Sequence, residues 1–205
     1  MKKKLIYFIS GILIIVSAVS CDKQLDLSPV SSITDANYWK SPEQFDAFVY
    51  GIHARFRSHT SSLQALGDLR SDIFGTEPGN AGTFSGEATQ GLERFWQQTL
   101  SLDAAGVSNF GDFYSNIVQI NLLIDKLNNS NIVTAANKNY YLGLAYGMRA
   151  YYYFQLTRAW GNVVIQTDPI SSIDVSNLAK AASPAADVMA LIKSDIENSV
   201  TSFGS

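Results

Sequence analysis

Two sets of residues in this sequence have types and positions that could do chemistry: one cysteine near the amino terminus and a group of aromatic and polar residues in a long loop. Cys21 is the only cysteine among 205 residues, so a disulfide within the chain is impossible. It directly follows the small residues A-V-S at 18–20. This arrangement resembles a bacterial lipobox, in which the thiol is acylated and the chain is cut just before it. We therefore predict lipidation of Cys21.

The residues before Cys21 have the pattern of an export signal. Three lysines at positions 2–4 precede an apolar run at 5–19. A membrane-spanning helix needs about 20 apolar residues, so the run fits a cleaved signal peptide over 1–20 better than a permanent anchor. Acylation would fix a tether over 21–33 to the membrane, since each buried methylene contributes about 0.8 kcal/mol. The alternative is an ordinary secretory signal cut near Ser20, which leaves the thiol free.

The second set lies in and beside a loop at 75–91, which is rich in Gly, Thr, Ser and Asn and has no periodicity. Long loops in compact domains are often functional. Aromatic rings stack on the C–H face of sugars, while amides and carboxylates bond sugar hydroxyls, in pockets with apolar walls and few polar groups. The alternative, that Trp96 only packs the loop on the helices, is the commoner use of an aromatic residue. The candidate ligand-binding residues are Asp72, Glu77, Asn80, Trp96 and Gln97, with Phe84 and Phe95 beside them.

Catalytic motifs are not found. The G-x-x-S-G sequence at 82–86 is one residue off a nucleophile elbow and follows no predicted strand. Asp68 and Asp72 can share a helix face, but paired catalytic carboxylates must flank a substrate, and a solvated face is the simpler reading. His53 and His59 are six residues apart, which is the wrong spacing for a metal, and we predict both at the surface or half-buried. We expect no enzyme activity, cofactor or metal.

The composition suits a globular protein of one domain, with 46% hydrophobic and 12% aromatic residues. The formal net charge is -3, and cleavage of the signal would remove three lysines and make the body more acidic. The sequence contains no basic stripe with interleaved aromatic residues. Binding to a nucleic-acid backbone is therefore excluded as a function.

Four substantial helices must position these residues. The strongest pattern covers 135–160, where apolar residues at helical spacing predict a buried helix, ended by Gly161 as a left-handed cap and followed by an extended run at 163–165. A capping box at Ser41 and Gln44 starts another helix, and further helices are predicted over 109–128 and from Ser183 onward. A shorter helical or turn segment covers 63–74. The last helix carries Val188, Leu191, Ile192, Val200 and Phe203 on one face.

Neighbouring helices with apolar faces pack as antiparallel pairs, so the predicted fold is all-α, with tetratricopeptide-like helix pairs and long loops. Two tetratricopeptide cues support this prediction, L-G-x-x-Y at 142–146 and A-x-x-x-F at 150–154. Both cues fall on one helix, whereas a true repeat distributes them over successive helices. We therefore predict tetratricopeptide-like packing without a regular array.

Four stretches together resemble the SusD/RagB family of Bacteroidetes lipoproteins: C-D-K-Q-L-D-L-S-P at 21–29, Y-W-K-S-P-E-Q-F at 38–45, R-A-Y-Y-Y-F-Q-L at 149–156, and the segment 183–198. The resemblance implies a lipid-anchored outer-membrane protein that faces the cell exterior. It implies capture of an oligosaccharide or polysaccharide, or another nutrient, for delivery to a SusC-type TonB-dependent transporter. It also implies tetratricopeptide-like helices that support a loop-rich binding face, and binding without bond making.

The resemblance gives the region 34–205 as a SusD-like helical domain. Members of the family are usually much longer, so we expect this domain to be incomplete and its final helix to expose apolar surface. Residues 75–109 match no pattern of the family, so the candidate ligand residues rest on composition alone. Two alternatives remain: a lipid-anchored helical scaffold that binds only protein partners, and a truncated fragment without function.

Overall fold

The computed structural model describes residues 38–69, 71, 110–170 and 179–204. The chain divides into two units, Met1–Lys40 and Ser41–Ser205. Residues 38–40 are the described part of the first unit, in which the rings of Tyr38 and Trp39 meet edge to face at 5.0 Å. The predicted signal peptide, Cys21 and the tether lie outside the described residues. The helices described below belong to the second unit.

The described residues of the second unit form helices joined by turns and one extended segment, and they contain no strand. An isolated antiparallel bridge joins Val163, in the predicted extended run, to Ser183. None of the described helices is long and apolar enough to cross a membrane. The helices are α1 Pro42–Ser58, α2 Thr60–Gln64 with its continuation as a π-helical turn at Ala65–Leu69, α3 Phe110–Asn128, α4 Ala135–Trp160 and α5 Ala185–Phe203.

Helix boundaries follow the signals read from the sequence. At the start of α1, the backbone N–H of Ser41 donates to Oε1 of Gln44 at 3.1 Å, half of the predicted capping box. Thr134 caps α4 by accepting from the backbone N–H of Asn137 at 3.3 Å. Gly161 ends α4 with φ +74° and ψ -109°. Its positive φ was expected, but its ψ lies outside the left-handed helical region, and this conformation favours glycine over any residue with a Cβ.

Helices α3, α4 and α5 pack side by side, with α4 in the middle and α1 against α3. Tyr152 and Tyr153 are fully buried, while Tyr151 is 39% exposed, so two of the three consecutive tyrosines are core residues. In each pair of neighbouring helices, residues early in one helix contact residues late in the other, which confirms the predicted antiparallel pairs. The pairs are Phe110 with Trp160 and Asn121 with Arg149 between α3 and α4, and Tyr140 with Phe203 and Arg149 with Asp195 between α4 and α5.

Two glycines let α4 and α5 approach closely. A Cβ on Gly147 would lie 3.1 Å from Oγ of Ser199, and one on Gly143 would lie 2.8 Å from the ring of Phe203. Because Gly143 has no side chain, its carbonyl oxygen accepts a 2.7 Å hydrogen bond from the hydroxyl of Ser199. These glycines, which lie in and beside the first tetratricopeptide cue, therefore serve close packing of the pair.

A buried ion pair crosses the centre of the three helices. The guanidinium of Arg149 donates from Nε and Nη2 to the two carboxylate oxygens of Asp195, both at 2.7 Å, and from Nη1 to Oδ1 of Asn121 at 2.9 Å. Arg149 is 6% exposed and Asp195 1% exposed. Asn121 in turn donates to the carbonyl of Gln166, whose backbone also bonds the hydroxyl of Tyr153. The network joins α3, α4, α5 and the segment after α4.

The final helix is only partly buried. Val188 and Ile192 are buried, but Val200 is 67% exposed and Phe203 52% exposed. Burial along the apolar face of α5 thus decreases toward the carboxyl-terminal end of the helix. The expectation that this helix exposes apolar surface is confirmed.

Candidate functional site

The sequence-predicted ligand residues fall on a stretch that the structure leaves outside its described part. The same holds for Cys21, Phe84 and Phe95. The structure describes the two residues that flank this stretch, Ser71 before it and Phe110 after it. The ligand residues that stay predictions are Asp72, Glu77, Asn80, Trp96 and Gln97.

The first end is a π-helical turn that follows α2. Ala65 and Leu66 in this turn are 3% and 6% exposed, so the turn is held on the helical core. The hydroxyl and the backbone N–H of Ser71 both donate to the carbonyl of Asp68, at 2.6 and 3.1 Å, and close the turn. The described part of the segment predicted as helix or turn over 63–74 is therefore helical and ends in this turn, while residues 72–74 lie outside the described residues. Single π-helical turns are rare and are frequent at functional sites.

The second end is an aromatic cluster at the start of α3. The ring of Phe110 lies 5.5 Å from that of Trp160 and 4.8 Å from that of Tyr114, centroid to centroid. The hydroxyl of Tyr114 donates to the carbonyl of Val164 at 2.6 Å, and burial raises the pKa of this phenol. These contacts attach the first turn of α3 to the end of α4 and to the segment beyond it. The π-helical turn before the stretch and the first turn of α3 after it are therefore both attached to the helical core.

Near the first end, three polar side chains meet inside the core, one from α3, one from α4 and one from the turn between α1 and α2. Asn116 of α3 donates from Nδ2 to the hydroxyl of Tyr152 at 2.9 Å, and that hydroxyl lies 2.9 Å from Nδ1 of His59. The phenolic oxygen of Tyr152 and Nδ1 of His59 thus share a hydrogen bond whose direction depends on the tautomer of the imidazole. Oδ1 of Asn116 is buried and has no hydrogen-bond partner within the described part of the chain.

Burial keeps this cluster neutral. It lowers the pKa of His59, with Asp112 opposing and Arg55 reinforcing the effect, and it raises the pKa of Tyr152 to about 12. The prediction that His59 lies at the surface or half-buried is wrong, because it is 8% exposed and packs edge-on against Phe113. His53 is exposed, as predicted. The spacing of seven residues between Ile52, a core residue, and His59 was the signal for burial, since seven residues are two helical turns.

The buried polar side chains of the described region connect its helices. Across the described ranges, no three His, Cys, Asp or Glu side chains are grouped to bind a metal ion. The cluster, like the Arg149 network, joins helices to each other.

Comparison with known proteins identifies related chains. Residues 25–202 match the family model SusD-like_3, described as starch-binding and associating with the outer membrane. A SusD-like protein, P38 from Formosa agariphila, is 28% identical over 186 residues, which cover 87% of this chain and 33% of that protein.

Solved structures give the same result. NanU of Bacteroides fragilis superposes with a TM-score of 0.73 and 46% identity over 87% of this chain and 34% of its own. A SusD superfamily protein from Bacteroides vulgatus gives 0.69 and 46% over 82% of this chain and 32% of its own. A laminarin-binding SusD-like protein, at 21% identity and TM-score 0.64, shares the fold. The chain spans about a third of the length of these relatives.

The buried histidine predicts a pH dependence of stability. Because the folded pKa of His59 is below the unfolded value of about 6.5, the unfolded chain takes up a proton more readily, and the free energy of unfolding should fall as pH drops through 6.5 and level off below the folded pKa. The slope of the free energy of unfolding against pH, measured by urea unfolding between pH 7.5 and 5.5, tests this prediction.

Two variants assign that slope to one residue. His59→Gln should flatten it, whereas His53→Gln, which alters an exposed histidine on the same helical segment, should leave it unchanged. An equal slope in the wild type and in His59→Gln would contradict the neutral cluster.

Proposed function

Because this chain belongs to the SusD-like family, we propose that it binds a glycan at the outer membrane and does not alter it chemically. The observation that carries the proposal is the match of residues 25–202 to a family described as starch-binding. The match in fold at 46% identity supports it.

The proposed binding face is the stretch between Ser71 and Phe110. A ligand-binding loop loses less entropy on binding when its ends are already fixed. The π-helical turn and the aromatic cluster around Phe110 fix those ends on the core. Trp96 is the proposed stacking platform, and Asp72, Glu77, Asn80 and Gln97 are the proposed hydroxyl partners.

Lipidation of Cys21 and a transporter partner complete the proposal. The family description places its members in association with the outer membrane, and acyl chains on Cys21 would supply that association here. A protein anchored in this way on the cell exterior holds its glycan close to a membrane channel. We propose a SusC-type TonB-dependent transporter as the recipient.

A second candidate function is a lipid-anchored scaffold that binds protein alone. It is favoured by the apolar residues that α5 exposes, which suit a protein contact better than a sugar. In the first candidate function Trp96 stacks on the glycan, whereas in the second no glycan is bound.

Replacement of Trp96 tests the glycan site. Trp96→Ala should weaken binding by removing a stacked ring, and the stacking of a nucleobase on an aromatic side chain, taken as a guide, is worth about 1–3 kcal/mol, or roughly 5- to 150-fold in Kd. Affinity electrophoresis in gels containing soluble starch or laminarin measures the loss of retardation. As a control, Tyr50→Ala removes an aromatic ring that is 74% exposed on α1 and is not among the proposed ligand residues, so it should leave retardation unchanged.

If Trp96→Ala is retarded as strongly as the wild type, the glycan binds elsewhere. No retardation by any glycan, together with co-purification of a membrane barrel, would favour the scaffold.

The anchor is tested separately. Mass spectrometry of the exported protein should find Cys21 as the first residue, carrying two or three acyl chains. Cys21→Ser should move the protein from the membrane fraction to the soluble fraction, because the acyl chains provide its attachment. An unmodified thiol, or a retained leader, would contradict lipidation.

A further inference from the structure

The buried cluster of His59, Tyr152 and Asn116 contains an amide that is bonded at one end only. Nδ2 of Asn116 donates to the hydroxyl of Tyr152 at 2.9 Å and, more weakly, to the carbonyl of Ile52 in α1 at 3.4 Å. Oδ1 of the same side chain is buried and has no hydrogen-bond partner within the described part of the chain. An unpaired buried acceptor is unfavourable, so the orientation of this amide depends on what its neighbours require.

A half-turn of the Asn116 amide exchanges the group that faces Tyr152. With Nδ2 toward the phenol, the phenolic oxygen accepts a hydrogen bond, and its own hydrogen can be donated to Nδ1 of His59, 2.9 Å away. With Oδ1 toward the phenol, the phenol donates to the amide, and its oxygen can accept from Nδ1. Each orientation leaves one end of the amide unpaired, and the two differ otherwise by the weak bond to Ile52. A proton on Nδ1 therefore suffices to decide between them.

We propose that the protonation of His59 turns the Asn116 amide and thereby breaks a hydrogen bond between α3 and α1. When Nδ1 is bare, the phenol of Tyr152 donates to it, and Nδ2 of Asn116 bonds both the phenol and the carbonyl of Ile52. When a proton from solvent binds Nδ1, this nitrogen donates to the phenolic oxygen. The phenol then turns its hydrogen to Oδ1 of Asn116, and Nδ2 leaves Ile52. The three side chains form an acid-sensitive switch at the junction of α1 and α2.

The groups around the cluster make His59 the one that responds to mild acid. Burial is the largest influence and lowers the pKa of His59, while Asp112 opposes this shift and Arg55 reinforces it. The next titratable side chain along α2 and its continuation is Asp68, in the π-helical turn. Histidine alone among these residue types has its ordinary midpoint between pH 5 and 8. The other titratable side chains within four residues of His59, Asn116 or Tyr152 are Arg57 of α1, Tyr114 of α3, and Arg149, Tyr151 and Tyr153 of α4.

Nuclear magnetic resonance of the full chain labelled with nitrogen-15 tests the proposal without any glycan. At pH 7.5 the ring nitrogens of His59 should show a bare Nδ1 and a protonated Nε2. As the pH falls, the side-chain amide signals of Asn116 should move with the midpoint of the imidazole, and their Overhauser contacts to Ile52 should weaken. His59→Gln should abolish this movement, whereas His53→Gln, at an exposed histidine, should preserve it. A protonated Nδ1 at pH 7.5, or amide contacts to Ile52 that persist in acid, would overturn the proposal.

Asn116→Leu distinguishes an amide that turns from one that stays fixed. If Oδ1 accepts the phenolic hydrogen in acid, the variant should lower the titration midpoint of His59 by about one pH unit, since protonation then leaves a buried hydroxyl hydrogen unpaired. If Nδ2 stays on the phenol, its removal frees the phenolic oxygen for Nδ1, and the midpoint should rise. A rise or an unchanged midpoint would overturn the proposal. If this variant does not fold, the amide signals of the unmutated chain decide.

Discussion

The structure depends on the buried contact between Arg149 and Asp195. Removing two charges from water is costly, and the cost is offset only when the geometry is good and the remaining donors are bonded. Here the guanidinium makes two 2.7 Å bonds to the carboxylate and a third to Asn121, which passes the connection on to the backbone of Gln166. One side chain thus fixes the register of three helices and of the segment that leaves α4. Apolar packing alone tolerates sliding, whereas this network is satisfied in one arrangement.

The same arrangement serves the proposed binding role. The cluster of His59, Tyr152 and Asn116 joins the α1–α2 junction to the core, and the aromatic contacts of Phe110 join the start of α3 to the end of α4. The stretch between them therefore begins and ends on rigid elements. Binding sites are commonly carried by loops on such a scaffold, because the loop can vary while its supports stay constant.

Periodicity predicted the helices well because their apolar faces are long and local, as in α3 and α4. It also predicted α5, but the apolar pattern of Val200 and Phe203 does not show how far these residues are buried. The partner of Arg149 lies 46 residues away in sequence, and no local pattern identifies it. Burial of His59 was readable from its spacing to Ile52, but its bond to Tyr152 was not. The ligand residues from Asp72 to Gln97 rest on composition, because stacking on a sugar leaves no fixed spacing in the sequence.

A double-mutant cycle on Arg149 and Asp195 tests the central claim most directly. Arg149→Met and Asp195→Leu should each lower the free energy of urea unfolding by about 3–5 kcal/mol, because each leaves a buried charge without its partner. The double variant should recover much of that loss, and Lys193→Ala, which removes an exposed pair with Glu197, should change it by less than about 0.5 kcal/mol. The claim that this ion pair fixes the helices would be contradicted if each single variant changed the free energy of unfolding as little as Lys193→Ala does and the two changes simply added in the double variant.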